Sequence, residues 1–392
     1  MKTTYKILLG TTLALSLTPL FATNGSNLIG TSVESRAMGG AAIAFGHGAT
    51  SASSNAALIT SLEDTQFSIS GTLFMPEVTF DNGMGAGAKK SDANMSVIPS
   101  FSLATQQTDK FYWGVGFWAT AGMGVDYKDQ ASNFNMFTNL QLMQLALPLA
   151  YKVDNLSLSF TPILQYGSLG INYNNGVASV GMGESHDFQL GFNLGAAYRI
   201  SDFTLGLMYK SKIDMKYKDQ LSVAMQGFGV NYTNDELSTP EEFGLGISYV
   251  LDNHTIAIDY KQIKWSKAKG YKDFAWSDQN VVAVGYEYAV DKWALRAGYN
   301  HASNPISDQG LAGTLVNTMN LLGFPAVVET HMSVGGRYAI NEKTSIDLAY
   351  VHVPKKTLSY KISNAPFPGE RNITTTHGQS SFSMQLNHKF RF

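Results

Sequence analysis

Cysteine is absent from the whole sequence. That removes disulfide frameworks, thiolate metal sites and thiol chemistry together, and it suits a chain that crosses an oxidising compartment without mispairing. Charge is also scarce. Asp, Glu, Lys and Arg make up 15% of the residues, against roughly 25% in a soluble domain. The two signs nearly cancel, with 28 Lys and Arg against 30 Asp and Glu, and no basic run exceeds a short pair, so nucleic acid is disfavoured as a partner. No apolar stretch reaches the roughly 20 residues of a membrane-spanning helix. Catalytic signatures are missing too: there is no G-x-S-x-G, H-E-x-x-H, P-loop or convincing G-x-G-x-x-G. The eight His are scattered, and His47 and His388 read as packing or interfacial residues. No catalytic, metal or cofactor site is expected, and an enzyme would need a Ser and a His within hydrogen-bond reach on the outside of adjacent strands.

What is present is glycine (37), tyrosine (19) and phenylalanine (22), a mix that suits β-structure. The first 22 residues have the layout of a secretory signal: Lys2 and Lys6, an apolar run from Ile7 to Leu17, then Pro19 and the small Ala22. The mature chain is expected to begin near Thr23.

Period-two alternation recurs along the rest. In SFSMQLNHKFRF, Phe382, Met384, Leu386, Phe390 and Phe392 alternate with polar residues, and FQLGFNLGAAYRI, DFTLGLMYK, HTIAIDYK and KWALRAGYN behave alike. Each reads as a strand with one apolar and one wet face. Strands are predicted near 65–80, 93–106, 110–124, 138–153, 156–173, 185–200, 202–216, 239–251, 254–266, 280–290, 292–303, 328–340, 343–358 and 377–392, about fourteen in all. The breaks alternate between tight polar turns such as VDN, ISD, LDN and AVDK and long stretches such as 217–238, 304–327 and 359–376. That sorting marks a transmembrane antiparallel β-barrel with short turns inside and long loops outside. Trp113, Tyr151, Tyr198, Phe203, Tyr249, Trp265, Trp293 and Tyr338 are expected to form the interfacial girdles.

Residues 23–62 do not alternate and are dense in Gly, Ala and Ser. A barrel of about fourteen strands has a lumen that must be filled or must conduct, so this segment is expected to be a plug, with 63–392 forming the barrel. Within it, SRAMGGAAIAFGHGATSASSNAALIT resembles the N-terminal plug, or hatch, of the FadL transporters for long-chain fatty acids, whose TodX branch carries aromatic hydrocarbons. Arg36-Ala37, Gly39-Gly40 and Asn55-Ala56-Ala57 match the family's places, with Ala56 where the family has Pro. LSTPEEFGLGISYVL, IAIDYKQIKWS, YKDFAWSDQNVVAVGYEYAVDKWALRAGYNHASNPI and the terminal aromatic resemble the family in order and spacing.

The resemblance implies a monomeric outer-membrane channel of a Gram-negative bacterium, in contact with membrane lipid and lipopolysaccharide. Its cargo is caught at the outer loops and leaves sideways through the wall. It also implies assembly by machinery that recognises Phe392, and a gate in which a kink in the third strand, here Thr120, Ala121 and Gly122, lies against the turn Asn55-Ala56-Ala57. Replacing Pro by Ala at 56 removes a φ constraint and restores a backbone donor. For cargo contacts, Arg296 and Arg337 match a carboxylate bidentately. Equally, Glu287 or Asp347 in the barrel wall neutralises them. Leu311, Leu315, Met319 and Leu322 stand at helical spacing in an apolar outer loop, either a capture surface for a greasy ligand or a lid packed on its neighbours, and Phe228 lines the same groove. Two other functions stay open: a porin for polar solutes, with a wet, charged lumen, and a surface adhesin or receptor whose loops bind protein.

Overall fold

The computed structural model describes residues 24–363 and 369–390. The expected export signal and the terminal Phe392 lie outside the described residues. Fourteen antiparallel strands close into a ring. They are β1 (Thr65–Asp81), β2 (Ser96–Gln106), β3 (Phe111–Asp126), β4 (Phe137–Ala146, resumed at Leu149–Val153), β5 (Leu156–Asn174), β6 (Glu184–Ile200) and β7 (Phe203–Lys210). The second half comprises β8 (Glu242–Leu251), β9 (His254–Ile263), β10 (Gln279–Val290), β11 (Trp293–Ala302), β12 (Thr330–Ala339), β13 (Thr344–Ile362) and β14 (Arg371–Phe390). β4 is interrupted at Pro148, which has no N–H to give the ladder. β1 pairs with β14 from Thr65–Phe390 to Asp81–Thr374, so the sheet closes on itself.

At one end the strands join by two-residue turns, where Val153 pairs with Leu156, Ile200 with Phe203, Leu251 with His254 and Val290 with Trp293. Asp154, Ser201, Asp252 and Asp291 take φ of 52°, 50°, 50° and 51° in these turns, a left-handed conformation that short polar side chains tolerate. Apolar side chains such as Leu190, Leu205, Leu245, Ile258, Leu295 and Met384 point outward and are exposed, while Ser157, Gln165, Asp259, Asn300, Ser333 and Ser383 point inward and are buried.

Three strand boundaries differ most from the sequence expectation. The alternation after Lys210 continues through Ile213, Met215 and Tyr217, but these side chains are buried in an apolar cluster at the outer end. Bridges Ile213–Thr239 and Lys216–Glu236 fold this ribbon away from the wall. β13 and β14 run further outward than expected, to Ile362 and from Arg371, with Thr357–Thr376 and Ser359–Thr374 hydroxyl pairs between them. Trp265 is corrected as well: it is buried in the outer cluster against Tyr271 and Trp276, not in a girdle. Tyr151, Tyr198, Phe203, Trp293 and Tyr338 are exposed on the outer face.

Residues 24–62 bond to strands all round the ring, which only a segment inside it can do. Thr60 meets Ser157 of β5, Asn55 the Ala196 carbonyl of β6, and Ala44 O accepts from Ser248 of β8. The Ala42 and Ile43 amides donate to Asp259 of β9 at 2.7 and 2.9 Å, and Gly39 bonds to Asn300 of β11 and Ser333 of β12. Its helix α1 (Val33–Ala37) is closed by a Ser32–Ser35 capping box. The wall is shaved to admit this backbone: a Cβ at Gly298 would overlap the Gly39 amide, and one at Gly206 the Ile43 carbonyl. Gly298→Val is therefore expected to lower the midpoint of thermal unfolding in detergent, at a cost of about 1–3 kcal/mol for overpacking. Leu295→Val, on the outer face of the same strand, should leave the midpoint unchanged; equal midpoints for the two variants would contradict the close docking on β11.

Candidate functional site

The ring has one irregular stretch of wall beside β3. From Tyr112 to Trp118 this strand pairs with β2, the last pair being Ser100–Trp118. Above that point β2 continues along β1 alone, to Ser96–Phe74. On its other side β3 carries a bulge, since Ala119 pairs with Met143 and Ala121 with the adjacent Leu142. The extra residue is Thr120. Such a bulge bends the strand and re-aims its hydrogen-bonding groups, and the small side chains of Ala119, Ala121 and Gly122 let the bend form. The wall closes again at the outer end, where the Asp92 amide donates to Asp126 O at 2.8 Å and the Asp126 amide to Ser91 Oγ at 2.9 Å.

Between those limits the free edge of β3 is covered from inside. The Leu28 amide donates to Thr120 O and the Gly122 amide to Ser26 O, both at 3.0 Å, with Asn27 opposite Ala121. Leu28 also packs into an apolar cluster with Phe74, Ile98, Ala119 and Phe117. Behind the cover lies a cavity of about 50 Å³, lined by Asn27, Thr120, Gln144, Lys210, Glu242 and Lys261 among others. Here Asn27 donates to Glu242 at 2.7 Å and Lys210 stands 3.5 Å from the same carboxylate.

Thr120, Ala121 and Gly122 thus sit at the bulge, but their bonded partners are Ser26 and Leu28. Asn55, Ala56 and Ala57 lie elsewhere: the Asn55 side chain donates to Ile43 O at 2.8 Å and Ala196 O at 3.0 Å, and its oxygen accepts from the Ala57 amide. In place of the expected contact between the kink and this turn, the kink is bonded to residues 26–28. Sequence reasoning missed Ser26, Asn27 and Leu28, because a bridge of one residue pair leaves no periodicity to read.

The arginines are corrected similarly. Arg296 donates to Glu287 at 2.6 Å and to Asp347 at 2.5 Å, and Arg337 donates to both oxygens of Asp347 at 3.0 Å and to Glu34 of α1 at 2.9 Å. Both are paired with carboxylates, the second of the two arrangements expected, and Arg337 stays partly exposed to a cavity of about 320 Å³. Burial, with Asp347 beside it, pushes the Glu34 carboxyl up to about 7 against the pull of Arg337 and Arg296. Burial, then Arg296 and Arg337, holds the His47 ring well below its ordinary value and so neutral.

At the outer end, the loop between β11 and β12 crosses the mouth as helix α2 (Thr314–Thr318) and a π turn. The Gly323 carbonyl accepts from Thr138 of β4, and the Leu321 carbonyl from Thr375 of β14. Met319 and Leu322 are buried in the outer cluster, whereas Leu315 is half-buried against it. Phe228 stacks on Tyr173 at 4.5 Å between ring centroids. The loop is a packed lid with Leu315 half-buried, and Phe228, from the loop between β7 and β8, is half-buried against the same cluster.

A closed barrel with an apolar outer wall, an occupied interior and a lidded mouth narrows the kinship, and comparison decides it. Residues 21–392 match the model of the outer membrane protein transport protein family (OMPP1/FadL/TodX). The chain belongs to this family. Outer membrane protein P1 of Haemophilus influenzae is 23% identical, covering 95% of this chain and 97% of the relative, and the 47 kDa outer membrane protein of Pasteurella multocida is 23% identical with 92% of each covered. In fold, the chain is similar to a Pseudomonas aeruginosa FadL homologue (TM-score 0.75, 19% identity, 94% and 100% covered). It is likewise similar to the Pseudomonas putida toluene transporter TodX (TM-score 0.69, 18% identity, 94% and 100% covered). The protein is an outer-membrane β-barrel, and the FadL family is one of transport proteins for hydrophobic compounds.

Asp347 is wholly buried and serves two guanidinium groups. Asp347→Asn is expected to cost about 3–5 kcal/mol, because it strands buried cations, read as a lower unfolding midpoint in detergent. Lys355→Gln, which breaks an exposed pair with Glu77, should leave the midpoint in place.

Proposed function

We propose that this chain takes up hydrophobic small molecules passively and releases them sideways, through the break between β2 and β3, into the membrane. The observation that carries this reading is that the break is covered by Ser26, Asn27 and Leu28, through two backbone hydrogen bonds, the Asn27–Glu242 and Ser26–Tyr271 side-chain bonds and the packing of Leu28. A neutral bond is worth about 0.5–1.5 kcal/mol net and one to a charged group about 1.5–3 kcal/mol, so the cover is a small set of local contacts in place of a continuous strand ladder. The cargo has a stronger reason to avoid water, since each CH₂ kept out of it contributes about 0.8 kcal/mol. An exit directly into lipid preserves that term.

On this reading residues 23–62 act as a plug, anchored against β6 by the Asn55–Ala57 turn and against β9 by the Asp259 carboxylate, while the tip at 26–28 moves. The apolar outer cluster captures cargo, with Phe228 and Leu315 at its edge. A polar-solute pore would need a continuous wet lumen lined by charge; the cavity beside the break holds only about 50 Å³, and the charge-lined cavity of about 320 Å³ lies at the turn end, among Asp291, Lys292 and Lys343. A monomer, lipopolysaccharide contact at the outer loops, and assembly through a terminal aromatic belong to the same proposal.

Asn27 and Ala121 face each other as a non-hydrogen-bonded antiparallel pair, whose Cα atoms lie about 4.5 Å apart, within disulfide reach. The native chain has no cysteine, so Asn27→Cys with Ala121→Cys yields one designed bridge. In cells lacking their own hydrophobe channels, the oxidised variant should lose at least tenfold in uptake of labelled oleate or toluene and recover on reduction. Undiminished uptake by the locked form, or large ion conductance of the wild type in planar bilayers, would sink lateral release.

A further inference from the structure

Two arginines are buried among the described residues, and they differ in one respect. Arg296 is paired with two carboxylates, whereas Arg36, 5% exposed at the end of α1, meets none among the described residues. Its Nε donates to Gly30 O at 2.8 Å, and Nη1 donates to Thr72 Oγ1 and, at 3.3 Å, to Ser383 Oγ. Nη2 donates to no protein atom among the described residues. All three partners are neutral oxygens, so the guanidinium keeps an uncompensated charge inside the barrel. A buried charge without a counter-ion is among the costliest arrangements a protein can hold.

The same guanidinium lines a small cavity of about 20 Å³ with an apolar side, Leu28, Ile29, Phe74, Ile98, Val351 and Val353, and a polar one, Thr72, Gln379, Ser380 and Ser381. A polar ligand alone would not need such a lining, and a hydrocarbon would not need the cation. The combination fits an amphiphile with an anionic head. Two of the walls, Leu28 and Ile29, belong to the stretch that covers the break in β3, and Leu28 is itself bonded to Thr120. Withdrawing that stretch enlarges the cavity and joins it to the opening in one movement.

Resting on lateral release as the function, we propose that Arg36 receives the carboxylate of an amphiphilic cargo, whose apolar chain lies along Leu28, Ile29, Phe74 and Ile98 toward the break in the wall. The guanidinium offers the fork geometry that carboxylates take. Arg296 and Arg337 fit this role less well, because acidic side chains already neutralise them.

The test compares binding of oleate and of oleyl alcohol, equal in chain and different in head, to the purified full-length protein in detergent. Wild type should bind oleate at least tenfold more tightly. Arg36→Gln should abolish that preference while leaving oleyl alcohol unchanged, and Arg36→Lys should keep part of it. A second measurement needs no variant: the carboxyl shift of ¹³C-labelled oleate bound to the wild type should show it ionised at lower pH than oleate in protein-free micelles. Equal affinities for acid and alcohol, a preference that survives Arg36→Gln, or bound oleate titrating as in micelles would each overturn the assignment. Toluene has no head group, so its uptake by cells reports on the transport reading separately. Loss of the oleate preference with toluene uptake intact removes Arg36 alone, whereas wild type that carries neither cargo removes the transport reading.

Discussion

Lipid offers no hydrogen bonds, so every backbone N–H and C=O at membrane depth must find its partner within the protein. The rest of this structure follows from that constraint. It closes fourteen strands into a ring and leaves β1 against β14 with no free edge. It also dictates what happens where β3 parts from β2: the exposed edge cannot stand open, and residues 26–28 supply partners from inside. A lateral opening in such a wall has to be a covered one.

The interior is organised by unequal attachment. The middle of the N-terminal segment is fixed by charge-assisted bonds, with Asp259 holding two amides and Glu34 joined to Arg337 and Gln385. Glycines in the wall let its backbone lie directly on the strands. The tip at 26–28 is held by two backbone bonds, the Asn27–Glu242 contact and the packing of Leu28. Two kinds of attachment are thus separated along some twenty residues of the segment inside the ring. The buried acids and arginines fit the same scheme: three carboxylates and two guanidinium groups lock α1 to β10, β11, β12 and β13, and Arg36 is left outside the network.

Much of the wall was legible in the sequence because lipid on one side and a polar interior on the other enforce a strict period of two. Where a strand leaves that boundary, the same period misleads. Ile213, Met215 and Tyr217 alternate as a wall strand would, yet they serve the outer cluster, since burial under loops rewards the same pattern. Trp265 looks like an interfacial ring in sequence and is a buried one in space. Of the candidate site, Thr120–Gly122 was visible as an interruption of alternation, and the two possible fates of Arg296 and Arg337 were visible as charges on inward positions. Arg337 also meets Glu34, 303 positions before it, and no local rule connects the two.

What the sequence determined by itself is therefore the architecture: about fourteen crossings, short turns at one end, long loops at the other, and a non-alternating segment of small residues in need of a place. These rest on local geometry, in which each residue's side depends only on its neighbours. The tertiary structure alone decided which parts meet: that Ser26 to Leu28 rather than Asn55 to Ala57 cover the bulge, that the apolar outer loop is a packed lid, and that one buried arginine lacks a counter-ion. Such contacts join residues tens to hundreds of positions apart, and they follow from the closure of the ring around its own N-terminal segment rather than from any periodicity along the chain.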